Sequence, residues 1–203
     1  MDAYLTALEN ELRALVVSPE PTFAPYYGMF KYHLGWTDAN FAPTKTDAGK
    51  RIRPLLCLLT CEAVCGDWKR ALPVAAAIEL VHNFSLIHDD IEDQSDERRG
   101  RPAVWKVWGL AQGLNAGDGM FMLARLALDK MPQLGVAVDK CAHINYEFDA
   151  TTLALCHGQF LDLSFEARLD VTIDEYLEMI HGKTGALIAA AARLGAMLGT
   201  QER

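Results

Sequence analysis

The chain has 203 residues, 51% of them hydrophobic and 23% charged, which places it with globular rather than disordered proteins and gives it length for one well-filled domain or two small ones. Nineteen basic against 27 acidic residues leave a net charge of −8, which argues against a global nucleic-acid footprint, a local basic patch aside. Asp2, Glu9 and Glu11 do not suit a secretory leader, and Glu79, His82, Asn83 or Arg193 interrupt the most apolar segments, so no membrane span is expected and the cytosol is the default compartment.

Strand signals are scarce, with few alternating runs. Helix signals run the length of the chain. Leu5, Leu8, Leu12 and Leu15 form a stripe that Asp2 could cap. Pro54 suits a first helical position and Gly66 a C-terminal cap, bracketing a helix whose Cys57, Cys61 and Cys65 share one face. Five cysteines in a chain of this size do not suggest disulfide staples, and that face reads as buried thiols rather than a metal site. Pro73 opens a helix running to about Asp93, apolar on nearly all sides. Further helices are predicted over Leu114–Met131, Val138–Glu166, Ile173–His181 and Ala186–Leu198, with Pro132, Gly135 and Gly182 as punctuation. The expected architecture is an all-α bundle forming one domain over residues 1–203. The last predicted helix, within "GALIAAAARLGAMLGTQER", needs partners on several sides, and the chain stops soon after it.

Chemistry concentrates at the end of the Pro73 helix, in "LIHDDIEDQSDERRGRP". Asp89 and Asp93, at i and i+4, point the same way with roughly 6 Å of rise between them, and Asp90 flanks them. Acidic side chains are disfavoured at a helix C-terminus unless a cation compensates, and hard oxygen ligands of this kind suit Mg²⁺ shared with substrate phosphates. The bland alternative is a solvated acidic turn neutralised by Arg98, Arg99 and Arg101; Glu92, Asp96 and Glu97 are assigned to it. Guanidinium groups beside metal-bearing carboxylates make a place for a diphosphate. Upstream, in "DAGKRIRPLL", Lys50, Arg51 and Arg53 precede a helix N-terminus, a second anion site or a basic surface loop.

With these motifs in view, the sequence resembles the trans-isoprenyl diphosphate synthases, the polyprenyl synthetase family. "GKRIRP" (49–54) is similar to the family's GKxxRP element and "DDIED" (89–93) to its first DDxxD motif, followed by "RRG" (98–100). "GQFLD" (158–162) and "KTG" (183–185) complete the order. The resemblance implies an isoprenoid-synthase helical bundle around a deep apolar cavity. It also implies head-to-tail condensation of isopentenyl diphosphate with an allylic diphosphate, Mg²⁺ as cofactor and a homodimer. It assigns Lys50, Arg53, His82 and Arg99 to isopentenyl diphosphate, and Asp89, Asp93 and the supporting Asp90 to Mg²⁺ on the allylic diphosphate. Arg98, Lys183 and Thr184 would contact that diphosphate, with Gln159 and Asp162 on the facing helix and Asp162 in reach of metal. Asp89, Asp93, Gln159 and Lys183 form the implied catalytic set. Phe84, roughly 7.5 Å along the axis from Asp89, would be a floor for the growing chain, implying a C15–C20 product, or else ordinary core.

One departure matters. The family carries a second DDxxD on a later helix, whereas here the only acidic residue after Glu178 is Glu202. The expectation is a synthase shortened at its C-terminus, its last helices missing and with little turnover by itself. The alternative is a non-catalytic partner subunit of a heteromeric synthase, in which "CLLTC" (57–61) and "CEAVC" (61–65) would serve as contact elements. GKxxRP and DDxxD–RRG argue against a head-to-head synthase of the squalene or phytoene type.

Overall fold

The computed structural model describes residues 1–46 and 49–200; Asp47 and Ala48 of the basic stretch and Glu202 of the tail lie outside them. The helices are α1 (Asp2–Leu15), α2 (Ala24–His33), α3 (Ile52–Cys65), α4 (Leu72–Glu92), α5 (Val104–Trp108), α6 (Leu110–Leu128), α7 (Val138–Phe165), α8 (Ile173–Ile180) and α9 (Ala186–Gly199). A two-residue hairpin, β1 (Glu97–Arg98) with β2 (Arg101–Pro102), joins α4 to α5. Among the described residues one helical stretch, Trp68–Glu92, is long and apolar enough to cross a membrane, and most of it is buried, as in a core helix.

Several predicted boundaries shift for local reasons. Asp2 is the first residue of α1 rather than its cap, the N-cap being Met1 with no side-chain bond. Pro54 sits two residues inside α3, which is tolerated because the first amides of a helix have no intrahelical partner anyway. The chain turns out of α3 at Gly66 (φ +77°). Cys57 and Cys61 are buried, but Cys65 at the end of α3 is exposed. Gly182 does not interrupt the helical path: α8 passes through a π-helical turn, His181–Gly185, straight into α9. Helices α2 and α5 were not signalled by periodicity. Five of the ten residues of α2 are buried, so it shows no polar face to alternate with an apolar one.

The chain divides into two compact units, Met1–Arg51 with Glu79–Ala127, and Ile52–Ile78 with Leu128–Arg203. In the first, aromatic side chains of α2 meet small residues of α6. Tyr26 donates to the Asn115 carbonyl at 2.5 Å and stacks edge-on with Phe30. A Cβ added to Gly119 would overlap the Tyr26 hydroxyl. Phe84 of α4 lies against Phe121 of α6, centroids 5.3 Å apart.

In the second unit α9 packs along both α3 and α7. A Cβ on Gly195 would come within 2.2 Å of the Cys57 carbonyl, so the α3 and α9 backbones are nearly in contact. Leu187, Ala190, Ala191, Leu194 and Leu198 are buried there. The last helix therefore already has partners within its own unit. Exposed apolar surface lies instead on α7, where Tyr146, Leu153 and Phe160 follow one another at seven-residue spacing.

Candidate functional site

In the first unit the hairpin after α4 gathers the charges. Arg99 and Gly100, both at positive φ (55° and 71°), form its two-residue turn, the arrangement a type I′ turn requires. The turn folds Arg98 back onto the last turns of α4. Arg98 Nη2 lies 2.6 Å from Asp90 Oδ1 and 3.0 Å from Asp89 Oδ2, and Nε donates to Asp90 Oδ1 at 2.8 Å. Asp90 is completely buried and Asp93 is exposed, while Asp89 lies between these extremes. Burial pushes the Asp90 carboxyl above its ordinary range, only partly offset by Arg98. Burial also opposes the charge on Arg98, but its bonds to Asp90 and Asp89 outweigh this and raise its pKa. Arg101 serves the fold: its guanidinium stacks 3.9 Å over the Tyr32 ring and donates to Thr37 O at 2.7 Å and Thr46 Oγ1 at 2.8 Å.

Among the described residues no three His, Cys, Asp or Glu side chains are grouped to hold a metal ion. The donors still fit Mg²⁺, which commonly takes one or two carboxylates and completes its shell with water and substrate phosphate. Asp90 Oδ2 is buried without a partner, an acceptor that the arginine leaves unsatisfied.

The basic loop adjoins this cluster within the same unit. The Arg99 guanidinium lies against Gly49, where an added Cβ would sit 3.0 Å from Nη2. Lys50 is exposed, whereas Arg51 is buried and pairs with Glu79 of α4. His82 is half-buried on α4. His33, at the end of α2, went unnoticed in the sequence, yet it lies in the midst of these groups. Burial, reinforced by Arg99, Arg98, His82 and Arg51, pushes its pKa down to about 3, so it is neutral at pH 7. Nothing local in the sequence could mark His33, because the groups around it come from distant segments; Glu79 and Asn83 stand out as polar residues in an apolar run, but the Arg51 that Glu79 pairs with is 28 residues away. Phe84, the predicted floor, is half-buried with its ring edge-on to His88 as well as against Phe121.

The second unit holds the remaining predicted residues. Lys183 Nζ is 2.5 Å from Asp162 Oδ2, both part-buried. Gln159 lies nearly one turn before Asp162 on α7, and Thr184 is exposed beside Lys183. A glycine-on-glycine contact sets this pair. A Cβ on Gly158 would stand 2.0 Å from Lys183 N, and one on Gly182 would stand 2.8 Å from Ala154 O. The obstructing atoms are backbone and cannot swing aside. Gly158→Ala is expected to lower unfolding free energy by about 2–3 kcal/mol, at the upper end of overpacking effects. Urea melts check this, and an unchanged midpoint would mean that the contact tolerates a methyl. The π-helical turn at Lys183 is of the kind often found at functional sites.

Comparison with known proteins bears on the same residues. The polyprenyl synthetase family model matches residues 36–203. The chain belongs to that family. A (2E,6E)-farnesyl diphosphate synthase of Mycobacterium tuberculosis is 43% identical over 189 residues, covering 92% of this chain and 50% of the relative. A geranylgeranyl diphosphate synthase of Methanosarcina mazei is 48% identical over 151 residues, 74% of this chain and 46% of the relative. Among solved structures, a polyprenyl synthetase from Streptomyces coelicolor A3(2) superposes with a TM-score of 0.88 at 39% identity, covering all of this chain and 57% of the other. The all-helical polyprenyl synthetase fold is thus confirmed, and the chain spans about half the length of the curated relatives it matches.

Proposed function

We propose that this polyprenyl synthetase chain binds isopentenyl diphosphate and an allylic diphosphate for head-to-tail trans condensation to a C15–C20 product. The arrangement that carries the reading is the hairpin after α4, where Arg98 bridges Asp89 and Asp90 while Arg99 lies on Gly49 of the basic loop. Carboxylates for a metal–diphosphate and cations for a second diphosphate are thereby held by one short turn.

Asp89 and Asp93 would hold Mg²⁺, with Asp90 behind them keeping Arg98 in place. Mg²⁺ shared with the allylic diphosphate would offset negative charge developing on the leaving group. Arg98 commits Nε and Nη2 to the aspartates and keeps Nη1 for a diphosphate oxygen. Lys183, oriented by Asp162, would donate to the same group, with Gln159 and Thr184 beside it. Lys50, Arg53, His82 and Arg99 would hold isopentenyl diphosphate. The allylic C–O bond breaks to give diphosphate and a carbocation, the alkene of isopentenyl diphosphate attacks, and a proton is lost. Apolar side chains such as Phe84 exclude the water that would quench the cation and bound the growing chain. The working protein would be a cytosolic homodimer, a reading supported by the exposed apolar side chains Leu110, Leu114, Met122 and Leu126 of α6.

Calorimetry tests the binding itself. The chain is expected to bind dimethylallyl diphosphate only with Mg²⁺ and isopentenyl diphosphate without it. Asp89→Asn with Asp93→Asn should weaken Mg²⁺-dependent binding by about 100-fold, the order expected when two charge-assisted contacts are removed. Metal-independent binding of both ligands by wild type and variant alike would refute the proposal.

A further inference from the structure

Glu79 is an anomaly in α4. It is 2% exposed, within a run from Pro73 to Val81 that is otherwise apolar and buried. A carboxylate in such a place loses most of its hydration, and a buried ion pair is often no more stable than apolar residues of similar volume. Its partner is equally unusual. Arg51 is buried, and its φ of 51° puts a non-glycine residue in the left-handed region. Such a backbone persists only where its surroundings over-determine it. Arg51 directly follows Lys50, so its backbone sets the direction in which the end of the basic loop runs.

The bonds show what holds it. Arg51 Nη1 donates to Glu79 Oε1. Asn83, one turn further along α4, donates from Nδ2 to the same Oε1 at 2.6 Å and to the Glu79 carbonyl at 2.8 Å. Glu79 is thus gripped from two sides, and its grip on Arg51 ties the loop to the helix that carries Asp89 and Asp93. With a side chain only 7% exposed, Arg51 offers little to a ligand directly. Its neighbour Lys50 is exposed and free to do so.

We propose that Glu79 and Asn83 are positioning residues for isopentenyl diphosphate: by fixing Arg51 in its left-handed conformation they aim Lys50 at that diphosphate. The proposal rests on the functional reading above for the identity of the ligand. It concerns only the metal-independent subsite, which separates it from a general role in folding.

The test uses the 203-residue chain with Glu79→Gln, Asn83→Ala and the double variant Arg51→Met/Glu79→Leu. Glu79→Gln is expected to speed amide hydrogen exchange across residues 49–53 about tenfold and to weaken isopentenyl diphosphate binding without metal about tenfold, the equivalent of one charge-assisted hydrogen bond. Mg²⁺-dependent binding of dimethylallyl diphosphate should stay within about twofold. Asn83→Ala should act in the same direction and more weakly, and it serves if Glu79→Gln does not fold. The double variant should regain thermal stability without regaining isopentenyl diphosphate affinity. The idea is overturned if folded Glu79→Gln matches wild type in exchange and affinity, if both ligands weaken equally, or if the double variant recovers affinity with stability. Should wild type bind no isopentenyl diphosphate, the functional reading fails, and the exchange measurement alone decides whether Glu79 positions the loop.

Discussion

Arg98→Ala is expected to lower the unfolding free energy by about 3–5 kcal/mol at pH 7, the loss seen when one partner of a buried ion pair is removed. The reason is Asp90. Its side chain is fully buried, and Arg98 offsets its charge through two contacts, from Nε and from Nη2, the latter shared with Asp89. Removing the guanidinium leaves an isolated carboxylate whose pKa burial already raises. The sign with pH follows. A protonated Asp90 needs no counter-charge, so the deficit of the variant should shrink as pH falls and be smaller at pH 5 than at pH 7. Adding Asp90→Leu to Arg98→Ala should restore most of the lost stability, since an apolar side chain has no charge to leave bare. Urea denaturation of wild type, single and double variants at both pH values measures all three effects. A loss below 1 kcal/mol that is flat with pH would show that water reaches Asp90 and screens it.

The second large effect belongs to His33. Folded, its pKa lies at about 3 against an ordinary 6.5, because burial and then Arg99, Arg98, His82 and Arg51 oppose a further positive charge. Between those values the unfolded chain takes up a proton that the folded chain refuses. Stability from this residue is therefore complete above about pH 6.5 and is lost as pH falls toward 3. Each pH unit in that window amounts to about 1.4 kcal/mol, so wild type should lose roughly 2–3 kcal/mol between pH 7 and 4.5 on this account. His33→Gln removes the titration and should flatten the curve by that amount. Comparing the two proteins at each pH cancels the contribution of Glu175, whose bonds to Arg168 and then Thr172 hold its pKa down to about 2. Parallel curves would place the His33 proton elsewhere. His33 Nε2 has no protein partner, and His33 lines a cavity of about 20 Å³ together with Arg98, Arg99 and Arg101, room for one water.

These two residues mark the boundary of what local reading reaches. Asp89, Asp90 and Asp93 were legible because a helix fixes side chains four residues apart whatever else the chain does. Arg98 to Gly100 were legible because they follow within a few residues, although the hairpin itself was not foreseen. It is only two residues deep, with arginine at a turn position usually given to asparagine or glycine. Lys183 with Asp162 depended on motif order, since 21 residues separate them. Gly182 was misread as an interruption because a glycine in a helical run looks the same whether it ends the helix or admits another backbone.

The amino-acid sequence by itself determined the all-helical fold, the positions of most helices and the family. Hydrophobic period, proline and glycine act within a turn or two, and ordered motifs survive as strings of residues. Only the tertiary structure decided which charges are buried and what neutralises them. Arg51 meets Glu79 across 28 residues, and His33 sits among arginines from more than 60 residues away. A buried charge has its energy fixed by whichever groups the fold brings within a few ångströms, and that neighbourhood has no period along the chain. The carboxylates of α4 could be found by counting; the arginine that holds them, and the glutamate that holds the basic loop, had to be seen in place.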